Sequence, residues 1–385
     1  MGIAMTLINA KLIKTILFAT IIVAMIIPVS AGNLGVVFAE NKTKFTKDQY
    51  LGLIEKHKSQ LTKELTKSEL DKIDGQVKLD KKVQALTTSE SLRLDGYSYY
   101  GDLAELESNP NAVLDIIMHY TENGKSLTVL VDGATNRVLD LQERPIGEPL
   151  LPANGLIVDV YVGPSINGIR MDLNSPNFTP IAGRGWTAML VNALKLGSTI
   201  GNECVDTAFP GTYWAQSGEL LGDSGPELDW SDTTKKCMPQ WFTTPTIRPS
   251  IGNNLDFQIQ VDSSGHWVIY GLNVSTGKVW THTTTVSGST SFKTSTFDTS
   301  VFFENPNPVS KNWAPEYNNV NPKIYAGYGR NTSTGIWDFW QTESLTITNC
   351  HPGGLPVSSY ETGTLRAGTL TYNVANIQSH CAVGP

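Results

Sequence analysis

Several signatures of common hydrolases and nucleotide-binding enzymes are missing from this sequence. It has no HExxH pair of metal ligands, no GxSxG segment and no Walker loop. Zincins, α/β-hydrolases and P-loop enzymes need those segments for a metal, a nucleophilic serine or a phosphate cradle. The six histidines are isolated from one another along the chain, and no Cys/His cluster has the spacing of a zinc site. The sequence therefore predicts neither a metal site nor a bound cofactor.

Long hydrophobic runs are also scarce, and the one of membrane length lies at the N-terminus. Lys11 and Lys14 precede a stretch without charge from Thr15 to Ala39. This pattern is typical of a secretory signal peptide. An uncleaved membrane anchor is the alternative, because the uncharged run is long enough to span a bilayer. We expect residues 1–39 to direct export and the protein to be extracellular.

Cysteine is rare, and its four copies form no CxxC motif that would suggest zinc. An even number of cysteines in an exported protein favours disulfides, here two. Three connectivities are possible. We expect Cys204–Cys237 and Cys350–Cys381, because these pairs close the shortest loops.

Positive charge is in deficit, with a net charge of −7 over 385 residues. Such a balance gives no reason to expect nucleic acid as a partner. The composition, with 40% hydrophobic residues, is that of a globular protein. The length allows two domains.

Residues 40–153 are predicted to form a small α+β unit. Leu51, Leu53 and Ile54 begin a helical spacing that predicts a solvated helical hairpin up to about residue 86, with a second helix starting at Thr66 or Ser68. AVLDIIMHY (residues 112–120) predicts a further helix, and SLTVLVD (residues 126–132) predicts a strand followed by a turn and its partner strand.

The strand–turn–strand segment VLVDGATNRVLDL (residues 129–141) resembles the end of a PepSY-type module. Such modules occur in the prosegments of secreted peptidases, where they inhibit the enzyme or assist its folding. The resemblance implies that residues 40–153 are a prosegment that acts as an inhibitor of the domain after it. Three prolines between Arg144 and Asn154 predict the linker.

Residues 154–385 are predicted to form an all-β domain, an antiparallel β-sandwich of lectin-like type. In NLDFQIQVD (residues 254–262) apolar and polar residues alternate, which predicts a strand with one buried face and one wet face. Ser275-Thr276-Gly277 predicts a hairpin turn. Many short strands with turn signals between them are typical of a sandwich or barrel.

Five pieces follow one another in this domain: WAQSGEL (residues 214–220), QWFTTP (residues 240–245), IGNNLDFQIQV, LNVSTGKV and SVFFENPN (residues 300–307). Their order resembles that of the eqolisins, the scytalidoglutamic type of glutamic peptidase. The resemblance implies an endopeptidase whose side-chain amide is Gln216 and whose carboxylate is Glu304, with Trp241 as a candidate wall of the substrate pocket. It covers about a quarter of the chain.

The sequence departs from the family at two of these pieces. QWFTTP lacks the acidic residue of the family's tryptophan- and tyrosine-rich stretch, and Asn305-Pro306 replaces the residues after the catalytic glutamate. These departures concern the surroundings of the site more than its two central positions.

The residues themselves fit acid hydrolysis of an amide. One carboxylate can take a proton from water and return it to the leaving nitrogen. An amide aimed at the developing oxyanion contributes about 3–4 kcal/mol. A glutamate near its ordinary pKa of about 4.3 is ionised in mild acid. We expect peptide or protein substrates and a monomer.

Other functions remain open from the sequence. Gly222-Asp223-Ser224-Gly225 resembles the nucleophile segment of trypsin-like peptidases, but no histidine lies upstream of it within the expected catalytic domain. A glycoside hydrolase could use the carboxylates of Glu219 and Glu304 as a pair. The neprosin group joins a prosegment to a similar sandwich and uses two glutamates, which would make Glu219 the second one. A carbohydrate-binding sandwich without catalysis is the remaining alternative.

Overall fold

Capping residues set where the N-terminal helices begin. The computed structural model describes residues 45–87, 91–122, 124–145, 154–160, 166–179, 187–195, 213–222, 225–232, 240–261, 266–283, 298–305, 317–318, 323–339, 345–347, 361–362 and 370–372. Helix α1 (Lys47–Lys56) follows Thr46 and helix α3 (Lys67–Leu79) follows Thr66, and each threonine forms a reciprocal capping box. Two single-turn helices, α2 (Lys58–Leu61) and α4 (Lys81–Gln84), continue them, and α5 (Leu103–Ser108) comes later in the chain.

The described residues also include nineteen strands. They are β1 (Arg93–Asp102), β2 (Asp115–Glu122), β3 (Lys125–Val131), β4 (Val138–Pro145), β5 (Asn154–Val160), β6 (Ile166–Asn174), β7 (Thr187–Lys195), β8 (Tyr213–Gly222), β9 (Gly225–Asp232), β10 (Gln240–Phe242), β11 (Asn254–Val261), β12 (Trp267–Asn273), β13 (Lys278–Thr283), β14 (Asp298–Asn305), β15 (Lys323–Asn331), β16 (Trp337–Phe339), β17 (Leu345–Ile347), β18 (Glu361–Thr362) and β19 (Leu370–Tyr372).

The strands form two antiparallel sheets. The larger has the order β18-β19-β15-β6-β11-β12-β13-β1-β2-β3-β4, with β16 on β15, and the smaller has the order β10-β9-β8-β7-β14-β5-β17. Strands β11 and β12 lie against β8, and β11 also lies against β7. The fold is therefore the expected antiparallel β-sandwich, with helices added to it.

Aromatic side chains fill the space between the two sheets. Trp230 of the smaller sheet stacks on Trp280 of the larger sheet with ring centroids 4.4 Å apart. Phe257, Ile259 and Met171 of the larger sheet are fully buried. The burial of these apolar side chains away from water is the main contribution to the stability of such a sandwich.

The helices cover the opposite, outer face of the larger sheet. Residues of α1 to α4 form one apolar cluster with outward-facing residues of β1–β3, β12 and β13, among them Tyr50, Ile54, Val77, Tyr120 and Val279. The two helices predicted before residue 86 are thus confirmed, but the prediction of a solvated hairpin is wrong, because one side of each helix is buried on the sheet.

The N-terminal strands belong to the same sheet as the C-terminal ones. Strand β1 pairs with β13, and Tyr100 lies opposite Trp280. All described residues fall in one compact unit, residues 43–385. The division into a prosegment and a peptidase domain near residue 153 stays a prediction.

One predicted element is wrong, and so is the predicted exposure of a second element whose strand assignment is confirmed. The expected helix at residues 112–120 is strand β2, which pairs with β1 and β3 and buries apolar residues on both faces. Such a continuous apolar run cannot be assigned by periodicity alone. The expected wet face of β11 is also buried, since Asp256, Gln258 and Gln260 are each no more than 3% exposed.

The expected signal segment, the linker residues 146–153 and all four cysteines lie outside the described residues, so their predicted roles stay predictions. Among the helices that the structure describes, none is long and apolar enough to cross a membrane. Among the described residues, no three His, Cys, Asp or Glu side chains lie close enough together to hold a metal ion.

Candidate active site

Gln216 lies in the middle of the smaller sheet. It is on β8, where Asn192 of β7 and Ser231 of β9 are its directly paired neighbours. Its side chain is 5% exposed. Strands on both sides fix the backbone here, which suits a residue that must hold an amide group in one orientation.

Glu304 lies on β14, on the far side of β7 from Gln216. It pairs with Ala188 of β7, which in turn pairs with Leu220 of β8. Directly paired positions share a face of a sheet, and so do positions two apart on a strand. Gln216 and Glu304 therefore belong to the same face of the smaller sheet, separated by one strand.

The two residues are not direct neighbours on that face. Gln216 pairs with Asn192 of β7, which pairs with Ser300 of β14. Ser300, and not Glu304, therefore lies level with Gln216 across the sheet, four residues away from Glu304. With about 3.3 Å per residue and 4.8 Å per strand, their Cα atoms are roughly 16 Å apart. The register thus places both residues on one face, separated by β7 and by four residues along the strand direction.

Glu219 belongs to the opposite face, which packs between the sheets. Glu219 pairs with Met189 of β7, which pairs with Phe303 of β14. Phe303 is adjacent to Glu304 on the strand, so the positions of Glu219 and Glu304 belong to opposite faces of the sheet. Two carboxylates on opposite faces do not flank one substrate. This register does not favour Glu219 and Glu304 as a glycosidase or two-glutamate pair.

The carboxyl group of Glu219 is nevertheless unusual. It is fully buried, and within the described part of the chain neither carboxyl oxygen has a hydrogen-bond partner of normal geometry. Burial raises the pKa of Glu219 to about 8, and the nearby Ser175 hydroxyl offsets only part of this. A carboxyl group that stays protonated at neutral pH is a common feature of functional sites, and it is also a feature of buried structural acids.

Trp241 lies in the core between the sheets. Its ring stacks on His119 of β2 with centroids 4.8 Å apart, and it also contacts Trp230 and His282. This environment is that of a packed core residue and gives no support to a role as pocket wall.

A buried hydrogen-bonded cluster accompanies this tryptophan. The Ser98 hydroxyl lies 3.0 Å from Nε2 of His119 and 3.1 Å from Nδ1 of His282. All three side chains are buried. Burial, and then the neighbouring His282, lower the pKa of His119 well below its usual value. The cluster resembles a serine–histidine pair in composition, but substrate cannot reach it between two packed sheets.

The face that carries Gln216 also carries an ionic cluster that the sequence did not reveal. Glu227 and Asp229 of β9 share it, and Glu227 is fully buried. Arg144 of β4 and Arg248, which follows a short 3₁₀ turn, both bind Glu227, the second at 2.8 Å. Burial lowers the pKa of Arg144 to about 10. In the sequence, Glu227 and Asp229 alternate with Leu228 and Trp230. This alternation is a local signal that both carboxylates lie on the same face of a strand.

Comparison with known proteins finds distant likeness only. No protein-family profile matches the chain, and no curated protein does so. Two crystal structures of scytalido-glutamic peptidase with transition-state analogues are 12% identical, with TM-scores of 0.37, and span 58% of this chain and 98% of theirs. SCP-B, an eqolisin-family peptidase in complex with the tripeptide Ala-Ile-His, has the same identity and coverage and a TM-score of 0.35. Likeness of this degree assigns no family.

Proposed function

We propose that this protein is an acid-acting peptide hydrolase that uses Glu304 and Gln216. One observation carries the proposal: both residues belong to the same face of one sheet, on the two strands that flank β7. The order of the five sequence segments, which places an amide before a carboxylate, supports the same assignment of roles.

The reaction needs three functions from two side chains. Glu304 takes a proton from water as the water attacks the scissile carbonyl carbon, and later returns that proton to the leaving amine. Gln216 donates a hydrogen bond to the oxygen that becomes negative in the tetrahedral intermediate. Base and donor stand on opposite sides of the water and the carbonyl group. A separation between their strands is therefore expected.

The pH range follows from the base. Glu304 must be ionised to accept the proton, and an ordinary glutamate is ionised above about pH 4.3. The fold adds a second reason to expect acid conditions. Burial raises the pKa of Glu219 to about 8, so the contribution of this group to the free energy of unfolding is largest in acid, where the unfolded chain keeps the proton too.

The N-terminal half takes the role of a restraint in this proposal. Residues 1–39 would direct export, and the described part of residues 40–153 would keep the enzyme inactive until it is removed. The contacts that support this are those by which β1 extends the larger sheet and Arg144 reaches Glu227 of the smaller sheet.

The test is hydrolysis of a denatured protein by the purified full-length chain between pH 3 and pH 8, before and after incubation in acid. Pepstatin, a chelator and a serine-directed inhibitor are added separately. Cleavage confined to acid and resistant to all three inhibitors is the expected result. Cleavage that a chelator or the serine reagent abolishes, or no cleavage at any pH, would overturn the proposal.

A further inference from the structure

A lysine is held between two carboxylates on the outer face of the larger sheet. Asp172 of β6 and Asp256 of β11 lie directly opposite each other in the sheet. Lys47, the first residue of α1, forms an ion pair with Asp172 and a second one with Asp256, in which Nζ and Oδ2 are 3.3 Å apart. The lysine comes from a segment about 125 residues away in the chain.

The two carboxylates sit on a rigid base. Gln258 donates a hydrogen bond of 2.7 Å to Oδ1 of Asp256, and Gln260 donates one of 3.1 Å to Gln258. Nε of Arg170 lies 3.3 Å from Oδ2 of Asp256. The side chain of Asp256 is 1% exposed. Central strands and paired side chains thus fix one oxygen of the site before any cation binds.

Aromatic rings complete the surroundings. The guanidinium of Arg170 lies 3.7 Å from the ring centroid of Tyr328, and the Lys47 ammonium lies 5.6 Å from the same centroid. Two carboxylates beside the face of an aromatic ring favour a cation that carries an alkyl stem. The ring face attracts the positive charge, and the stem packs against the ring.

The charges balance only while a cation is present. Two carboxylates face Arg170 and Lys47, so without Lys47 one negative charge is left in a buried position. Burial, and then the charge of Asp256, raise the pKa of Asp172, and Lys47 offsets part of this rise. An empty site would take up either a proton or another cation.

We propose that Asp172 and Asp256 form a binding site for a primary alkylammonium group, with Lys47 as its built-in ligand. Lys47 is 27% exposed, so a small ammonium ion can reach the site from solvent once the lysine side chain is absent. In a chain without α1, the site would accept the lysine side chain of another polypeptide. The inference uses no hydrolysis and stands independently of the proposed peptidase activity.

The test replaces the built-in ligand with a free one. Lys47→Ala is made in the full-length chain, and Lys56→Ala, on the same helix and paired with Glu107 at the surface, is the matched control. Unfolding temperatures are measured with increasing n-butylammonium chloride, with sodium chloride at equal ionic strength and with 1-butanol. The double variant Lys47→Ala/Asp172→Asn repeats the titration without the first carboxylate.

Loss of one partner of a buried ion pair predicts that Lys47→Ala lowers the unfolding temperature by roughly 5 °C, and Lys56→Ala by much less. Butylammonium should restore most of this loss in Lys47→Ala, in a saturable way, and should not do so in the double variant. An equal response to sodium chloride or 1-butanol, a response in Lys56→Ala, or no response would overturn the proposal.

A second measurement covers the case in which Lys47→Ala does not fold. In the unsubstituted chain, butylammonium competes with Lys47 and should speed hydrogen exchange of the α1 amides several-fold. Helix α3 has no residue in the site and serves as the internal reference. Exchange rates in α1 that do not change relative to α3 would contradict the inference.

Discussion

Replacing Glu219 by glutamine should remove most of a pH dependence that this one side chain imposes on stability. Its ordinary pKa is 4.5, and in the folded chain burial raises it to about 8. Between these values the folded chain keeps the proton and the unfolded chain releases it. The folded state therefore binds more protons, and the free energy of unfolding falls as pH rises through this window.

The size of the effect follows from the width of the window. A difference of about 3.5 pKa units corresponds to roughly 5 kcal/mol lost between pH 4.5 and pH 8, of which about 3 kcal/mol is lost by pH 7. Glutamine has nearly the same shape and does not titrate. It leaves a buried amide without a designed partner, which lowers stability by a similar amount at every pH.

The assay is urea unfolding at several pH values between 4.5 and 8. Wild-type protein, Glu219→Gln and the exposed control Glu64→Gln are compared by the slope of stability against pH. Between pH 4.5 and pH 7 the free energy of unfolding of Glu219→Gln should fall by roughly 3 kcal/mol less than that of the wild-type protein. Parallel profiles for wild type and Glu219→Gln would refute the reasoning, whatever the absolute stabilities are.

Three further predictions concern contacts of the N-terminal helices and strands with the rest of the sandwich. His119 is buried uncharged with a lowered pKa, so the unfolded chain binds the extra proton below about pH 6.5 and stability is lost as pH falls; His119→Phe should flatten this loss in thermal unfolding between pH 7 and pH 5. Arg144→Ala leaves Glu227 with one guanidinium instead of two and should lower stability by about 3 kcal/mol, whereas Arg144→Ala in a Glu227→Gln background should cost clearly less in a double-mutant cycle. Gly277 has a φ of 76° and lies against the Tyr50 ring, so Gly277→Ala should destabilise the chain by about 1 kcal/mol or more, and Gly75→Ala, in the open on α3, should not.

Local signals in the sequence predicted local structure well. The turn at Ser275 to Gly277 and the helix start at Thr66 depend on residues a few positions apart, and both are confirmed. The β-sandwich itself followed from many short strands with turn signals between them. Strand β2 was misassigned because an apolar run that is buried on both faces has no periodicity to separate strand from helix.

Long-range polar contacts account for what the sequence could not predict. The alternation of polar and apolar residues predicts that Asp256 is solvated. Its burial is explained by its ion pairs with Lys47 and Arg170, which are distant in the chain. Glu227 depends in the same way on Arg144. For the candidate site, the sequence supplied Gln216 and Glu304 as residue types in order. Their shared face and their offset of four residues required the strand register.

The most direct test of the central claim is the specific activity of Glu304→Gln at the acid optimum. Asp298→Asn, on the same strand and at a position of the same face, is the matched control. Circular dichroism first establishes that both variants are folded. Loss of the general base predicts a fall in kcat/KM of at least about a hundredfold for Glu304→Gln and little change for Asp298→Asn. Full activity in folded Glu304→Gln would contradict the assignment of Glu304 as the catalytic base.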